Sequence, residues 1–266
     1  MILKDPPKPA PLHFRRMEFK YMVPERIIPR FIDRIVPHME ADPFLLQEGR
    51  GRRAYPVTSL YFDSLDLQSL REKDAGILAR RKLRLRTYEN AFSASARSFL
   101  EIKRRHDFIV SKDRLSLSVG ELQGADRMSQ VLGHLLSRVE ATEDVTSEAE
   151  TLRSWYGLQP TTLVTYDRIP FVGKHDRTFR ITIDHALRGA WHPTHLLGTI
   201  PLHRCMSGYC LIELKFHHGI PSWFHAIIQD LELHRTAYSK YALVTASLHP
   251  FAVTESPVTS RLRTFL

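Results

Sequence analysis

Six short stretches of this chain separate charge from hydrocarbon at every second residue. Successive side chains of a β-strand point to opposite faces, so this period assigns each strand one charged and one apolar surface. Lys82, Arg84 and Arg86 alternate with Leu83 and Leu85, and Glu101, Lys103 and Arg105 alternate with Leu100 and Ile102. Lys112 and Arg114 are set off from Leu115, and Arg16, Glu18 and Lys20 from Met17, Phe19 and Tyr21. Arg180, Thr182 and Asp184 oppose Phe179, Ile181 and Ile183, while Glu213 and Lys215 oppose Ile212, Leu214 and Phe216. One such stretch would read as the solvated face of an ordinary antiparallel sheet. Taken together, the charged faces hold eleven cations against Glu18, Glu101, Asp184 and Glu213. Like charges directly opposite one another destabilise a sheet, so solvated neighbours normally alternate in sign.

That one-sided excess, with apolar faces opposite and amphipathic helices to cover them, predicts a sheet that curls around its charged side. The interior would be a cationic channel that repels itself unless a polyanion fills it. Arginine is used heavily, as suits bidentate contacts to phosphate oxygens. The chain's net charge of +9, from 38 Lys plus Arg against 29 Asp plus Glu, points the same way.

The rest of the chain reads as one domain. Four prolines within residues 1–12 predict a flexible leader over 1–13, followed by a single domain over 14–250 and a tail over 251–266. Helices are expected from Pro24, with Ile27, Ile28, Phe31, Ile32 and Ile35 on one stripe, and near 127–140 and 221–234. Pro29 is expected to distort the first of these and Pro37 to end it. Strands are expected at 14–23, 55–63, 79–90, 97–105, 107–116, 161–171, 177–185 and 208–217. Short breaks between several of them favour antiparallel hairpins over parallel crossovers.

No run of apolar residues approaches a membrane span, and the leader lacks the apolar core of a signal peptide, so a cytoplasmic location is expected. Cys205 and Cys210 are too few for a disulfide framework or a zinc site of their own and read as packing residues. His217 and His218 are adjacent, so on a strand they would face opposite ways and could not chelate together. Val172-Gly-Lys-His175 holds only a fragment of a phosphate-binding loop, and no His-Glu-x-x-His or Gly-x-Ser-x-Gly run occurs. Tyr88 and Phe92 lie near basic strands, but no nucleic-acid motif accompanies them, and nucleic acid is not the expected partner.

An ordered set of segments carries a family resemblance. It comprises Arg16-Met-Glu-Phe-Lys-Tyr21, Ser59-Leu-Tyr-Phe-Asp-Ser64, Arg81-Lys-Leu-Arg-Leu-Arg-Thr-Tyr88, Phe99-Leu-Glu-Ile-Lys-Arg-Arg105 and Ser111-Lys-Asp-Arg114. Thr165-Tyr-Asp-Arg168, Phe179-Arg-Ile-Thr-Ile-Asp184, Leu211-Ile-Glu-Leu-Lys215 and Ser239-Lys-Tyr241 continue it. In this order the chain resembles the polyphosphate polymerase domain of the vacuolar transporter chaperone (VTC) family, within the CYTH or triphosphate tunnel metalloenzyme superfamily.

The resemblance implies an α+β fold, a closed antiparallel β-barrel tunnel with helices packed on the outside. It implies an ATP-dependent phosphotransferase that moves the terminal phosphate of ATP onto a growing inorganic polyphosphate chain, using Mn2+ or Mg2+. Lys20, Arg84, Arg86 and Lys103 match catalytic positions; Lys82, Lys112, Arg114, Arg168, Arg180, Lys215 and Lys240 match substrate-binding ones. Glu213 matches the metal carboxylate, with Glu18 and Glu101 as further candidates or as ion-pair partners of neighbouring lysines. ATP, polyphosphate, pyrophosphate and phosphate are the implied small-molecule partners. With no membrane domain of its own, the chain would need a separate membrane partner for any export.

One position departs from the hydrolytic branches, which open with Glu-x-Glu-x-Lys. Here Arg16 replaces the first carboxylate of Arg16-Met-Glu18-Phe-Lys20. That favours the polymerase over a metal-dependent triphosphatase or polyphosphatase. A non-catalytic polyphosphate- or nucleotide-binding module is the other alternative.

Overall fold

In a computed structural model of the protein, the described residues are 17–47, 53–89, 93–106, 109–122, 128–138, 144–197 and 200–249. The expected leader and tail, Arg16 and Phe92 lie outside them.

Ten strands form one sheet: β1 (Met17–Pro24), β2 (Met39–Ala41), β3 (Tyr55–Asp63), β4 (Ala79–Thr87), β5 (Arg97–His106), β6 (Ile109–Ser118), β7 (Gln159–Gly173), β8 (Arg180–Trp191), β9 (His203–Arg204) and β10 (Tyr209–Phe216). Its main path runs β1-β10-β8-β7-β3-β4-β5-β6, with β2 added to β7 and β9 to β8. Every pairing is antiparallel, as the short breaks between strand patterns predicted.

The path ends at β1 and β6, which do not pair with each other, so hydrogen bonds do not close the expected barrel. The sheet nevertheless bends far enough for Lys103 on β5 to act electrostatically on Glu18 of β1. Lys103 also feels the repulsion of Lys20.

The period-two split holds along the strands. On one half, Ile181, Ile183, Ile212 and Leu214 pack with Phe31, Ile35, Phe224 and Ile227 of α1 (Ile28–Ile35) and α6 (Ser222–Asp230). On the other, Leu83, Leu85, Leu100 and Ile102 pack under α4 (Val131–Arg138) and α5 (Asp144–Tyr156) through Leu132, Leu135, Ala149 and Leu152. Pro29 sits in the first turn of α1, where its missing N–H leaves no helical bond unmade, so the expected distortion does not arise. The other helices are α2 (Pro43–Gln47), α3 (Gln68–Asp74) and α7 (Lys240–Leu248).

Helix α7 corrects the expectation that all helices lie outside. Its Tyr241, Ala242, Leu243 and Val244 pack with Val57, Tyr61, Val164, Tyr166, Leu187 and Leu211. Those six residues share the face of the charged strand residues, so part of the concave side is an apolar core. A bulge in β8 makes room for it. The register slips where Thr165 and Asp167 of β7 pair with Arg188 and His185, and Ala186 takes φ 52°. The extra residue flips the parity of β8, so polar Thr182 and Asp184 are followed on the concave face by Leu187 and Gly189. At Gly189 a Cβ would collide with Val244 Cγ1 and lie 2.7 Å from the Leu163 carbonyl oxygen, so α7 rests on bare backbone there.

Among the described residues no helix is long and apolar enough to cross a membrane. Cys205 and Cys210 are free and buried, in keeping with their reading as packing residues.

Candidate functional site

Strand register arranges the concave side chains in rows. Lys82, Lys103 and Lys112 lie directly opposite one another on β4, β5 and β6. The next row is Tyr61, Arg84, Glu101 and Arg114, and the one after it Ser59, Arg86, Phe99 and Ser116. On the other half, Lys20, Glu213 and Thr182 form one row and Glu18, Lys215 and Arg180 another.

Glu101, which is fully buried, anchors the first half. It accepts hydrogen bonds from Arg84 Nε at 2.7 Å and from Lys112 Nζ at 2.6 Å, with Arg86 Nε 3.9 Å away. Burial would raise its carboxyl, but these cations outweigh burial and hold it at about 2. Arg86 also donates to Ser59 Oγ at 3.0 Å, and Arg84 to the Tyr61 hydroxyl at 3.2 Å. Burial alone would push the Tyr61 phenol up; Arg84, Arg86 and Lys82 instead bring it down to about 8. Lys82 and Lys103 have no carboxylate of the described residues within ion-pair reach, and burial lowers both ammonium groups, Lys82 to about 8. Arg114 lies over the Phe99 ring, 4.9 Å from its centroid.

The second half is compensated. Arg168 grips Asp184 through two bonds of 2.7 and 2.8 Å. Lys240, the first residue of α7 and 8% exposed, reaches Asp184 at 2.7 Å and Glu213 at 2.5 Å. Lys215 stands 3.4 Å from Glu213 and Arg168 3.8 Å. Burial opposes the charge of all three central groups, yet their mutual attraction wins: Asp184 and Glu213 are held low and Lys240 high. At the rim Lys20 pairs with Glu18 at 2.9 Å and donates to the Tyr238 carbonyl at 3.2 Å.

Helix α7 ties the halves together. Its Tyr241 stacks on Tyr61 with centroids 4.9 Å apart and donates to Asp63 at 2.6 Å. Lys82 sits 4.9 Å from the Tyr241 centroid. Asp63 in turn accepts from the backbone N–H groups of Ser64, Ser69 and Leu70, so the same carboxylate caps α3.

Of the residues singled out from sequence, Lys20, Lys82, Arg84, Arg86, Lys103, Lys112, Arg114, Arg168, Lys215 and Lys240 all fall on the concave side with Glu18, Glu101 and Glu213. Arg180 stands apart at the rim, exposed and 3.9 Å from Asp42. Asp184, Tyr61, Tyr241 and Thr182 were not named as site residues, although Asp184 and Thr182 share the alternation of Arg180.

Among the described residues no three His, Cys, Asp or Glu side chains gather as a ready metal cage. Glu101 does not fit a metal, since Arg84 and Lys112 take its two oxygens. Glu18 and Glu213 fit better: they are diagonal neighbours on paired strands, and both are held ionised. Thr182 Oγ1, directly across from Glu213, is buried without a hydrogen-bond partner. Hard oxygen donors of this kind suit a divalent cation that takes its remaining ligands from phosphates and water.

The model of the VTC domain family matches residues 15–249. No curated protein matches the chain. A candidate adenylate cyclase from Bacillus halodurans is 16% identical with a TM-score of 0.47, over 85% of this chain and 95% of that one. One from Vibrio parahaemolyticus is 12% identical with a TM-score of 0.43, over 87% and 98%. A candidate adenylyl cyclase from Hippeastrum, with a dominant triphosphatase activity, is 13% identical with a TM-score of 0.46, over 90% and 100%. At this distance the activities of those proteins say nothing of this chain.

Proposed function

The chain belongs to the VTC domain family, and on that premise we propose that it is a polyphosphate polymerase. It would transfer the terminal phosphate of ATP to the end of an inorganic polyphosphate chain. The observation that carries the reading is the row of Lys82, Lys103 and Lys112 beside Arg84, Arg86 and Arg114. Among the described residues these six cations have one carboxylate within ion-pair reach, Glu101, which Arg84, Arg86 and Lys112 approach, and the remaining charge needs an anion.

Phosphoryl transfer asks little covalent work of a protein; positioning and charge stabilisation supply most of the acceleration. Arg84 and Arg86 present guanidinium groups two residues apart and would clamp non-bridging oxygens along the triphosphate of ATP. Lys82, Lys103 and Lys112 would hold the acceptor chain in line with it. An acceptor oxygen forms the new P–O bond as the bond to the β-phosphate oxygen breaks and ADP leaves. Lys20, Lys215 and Lys240, around Glu213, would offset charge on the leaving group. The apolar seat of α7 would keep water from competing with the acceptor. A manganese or magnesium ion held by Glu18 and Glu213, with the Thr182 hydroxyl beside them, would supply further neutralisation of the phosphate oxygens.

Incubation with γ-labelled ATP, Mn2+ and a trace of pyrophosphate tests the proposal. A ladder of lengthening phosphate chains on a gel is expected. Free phosphate alone would make the protein a triphosphatase or polyphosphatase, and binding without turnover would make it a storage or sensing module.

A further inference from the structure

The cationic rows lead at one end into aromatic side chains. Phe44 of α2, Tyr55 of β3, Tyr88 just beyond β4 and Phe99 of β5 form a chain of edge-to-face contacts. Ring centroids are 5.2 Å apart for Phe44 and Tyr55, 5.8 Å for Tyr55 and Tyr88, and 5.9 Å for Tyr88 and Phe99. Phe99 lies directly opposite Arg86, and Tyr55 directly opposite Arg168. Tyr55 and Tyr88 rest in part on the core under α7. Here Phe44 is 39% exposed and the other three are half-buried. Neither the Tyr55 nor the Tyr88 hydroxyl has a hydrogen-bond partner among the described residues. Burial pushes the Tyr55 phenol up to about 12, so it remains a donor at neutral pH.

We propose that this aromatic mouth is a nucleobase site, holding the base of a nucleoside triphosphate while its phosphates run along the cationic rows. The inference rests on the proposed nucleotide-dependent activity and gives the donor substrate an orientation. Bases stack on aromatic rings whatever their identity, because each presents a π-face. The spacing also suits a nucleotide. Tyr88 follows Arg86 by two residues, roughly 6.5 Å along an extended strand, which is room for a ribose between the base and the first phosphate. The free tyrosine hydroxyls offer polar contacts to the base edge. The phosphates would then enter with the α-phosphate nearest Arg86 and Arg168 and the γ-phosphate deepest, toward Lys82 and Lys103.

Calorimetric titration of the full chain with ATP and, separately, with inorganic tripolyphosphate tests this orientation. Phe44→Ala and Tyr88→Ala are each expected to weaken ATP binding about tenfold, the lower part of the range for one stacked base, and to leave tripolyphosphate binding unchanged. Tyr88→Trp, which keeps a stacking surface, is expected to retain ATP affinity. Phe44 is the most exposed of the four rings, so its variant gives an answer even if Tyr88→Ala does not fold. Equal weakening of both ligands, or no weakening of either, would overturn the nucleobase site. Tripolyphosphate binding by the wild type would still support the cationic face in that case. Failure of the wild type to bind either ligand would remove the proposed function as well.

Discussion

The two halves of the concave face use the same residue types to opposite ends. On β7, β8 and β10, Asp184 and Glu213 are matched by Arg168, Lys215 and Lys240 at distances of 2.5 to 3.8 Å. On β4, β5 and β6, Glu101 alone faces Arg84, Arg86 and Lys112, while Lys82, Lys103 and Arg114 lack a carboxylate partner among the described residues. A buried charge is tolerable when another charge and hydrogen bonds compensate it, and costly when none do. The half on β7, β8 and β10 therefore holds the protein together without a ligand. The half on β4, β5 and β6 keeps an uncompensated field that only an anion relieves.

The largest effect should come from breaking the compensated half. Lys240→Met leaves Asp184 and Glu213 buried with one cation fewer between them, and about 3–5 kcal/mol of stability should be lost. Urea unfolding measures this, and an unchanged midpoint would show that the network is not structural. Arg84→Ala, in the other half, should lower turnover roughly a hundred- to a thousandfold, as removal of one donor to a developing charge does elsewhere. Wild-type turnover in that variant would rule out the clamp.

Lys103→Met should sharpen the contrast by moving stability and binding in opposite directions. Removing one of three lysines in a row should stabilise the ligand-free protein by about 0.2–1 kcal/mol, while tripolyphosphate binding weakens. Thermal unfolding with and without ligand reads both, and a loss of stability without ligand would contradict the division.

The smallest effect concerns pH. Tyr61 and Lys82 both titrate near 8 in the folded protein, below ordinary values of 10.0 and 10.5. From about pH 8 to 10 the unfolded chain holds protons that the folded one has released, so stability should rise through that window. A melting temperature that falls steadily from pH 8 to 10 in the ligand-free protein would contradict it. Added tripolyphosphate should blunt the rise by favouring protonated Lys82.

Much of this was legible in the chain. Alternation placed Lys82, Arg84 and Arg86 on one face and Leu83 and Leu85 on the other, because a period of two is a local property of the backbone. The ordered segments pointed to the family that the match over residues 15–249 shows. What escaped was set by distance along the chain. Sequence offered lysine neighbours as partners for Glu101, whereas its partners are Arg84 and Lys112 on the adjoining strands. The Lys240–Asp184 pair spans 56 positions, and no local pattern announces it. Helix α7 was not among the expected helices, and its apolar residues have no period that says which side of a curved sheet they cover. The bulge at Ala186, which flips the parity of β8 and opens the seat, is a matter of register between β7 and β8, invisible in either strand alone.

Gly189 gives that seat a second meaning. Where a Cβ would meet Val244, the helix is set at the depth that contact of the Val244 side chain with the β8 backbone allows. Lys240 and Val244 are one turn apart on α7, so whatever lifts Val244 also lifts the ammonium from Asp184 and Glu213. A missing methyl group on β8 thus works as a depth gauge for a charge on another element. The position of the cation is calibrated by a steric stop one turn along the same face of the helix as much as by the carboxylates it touches.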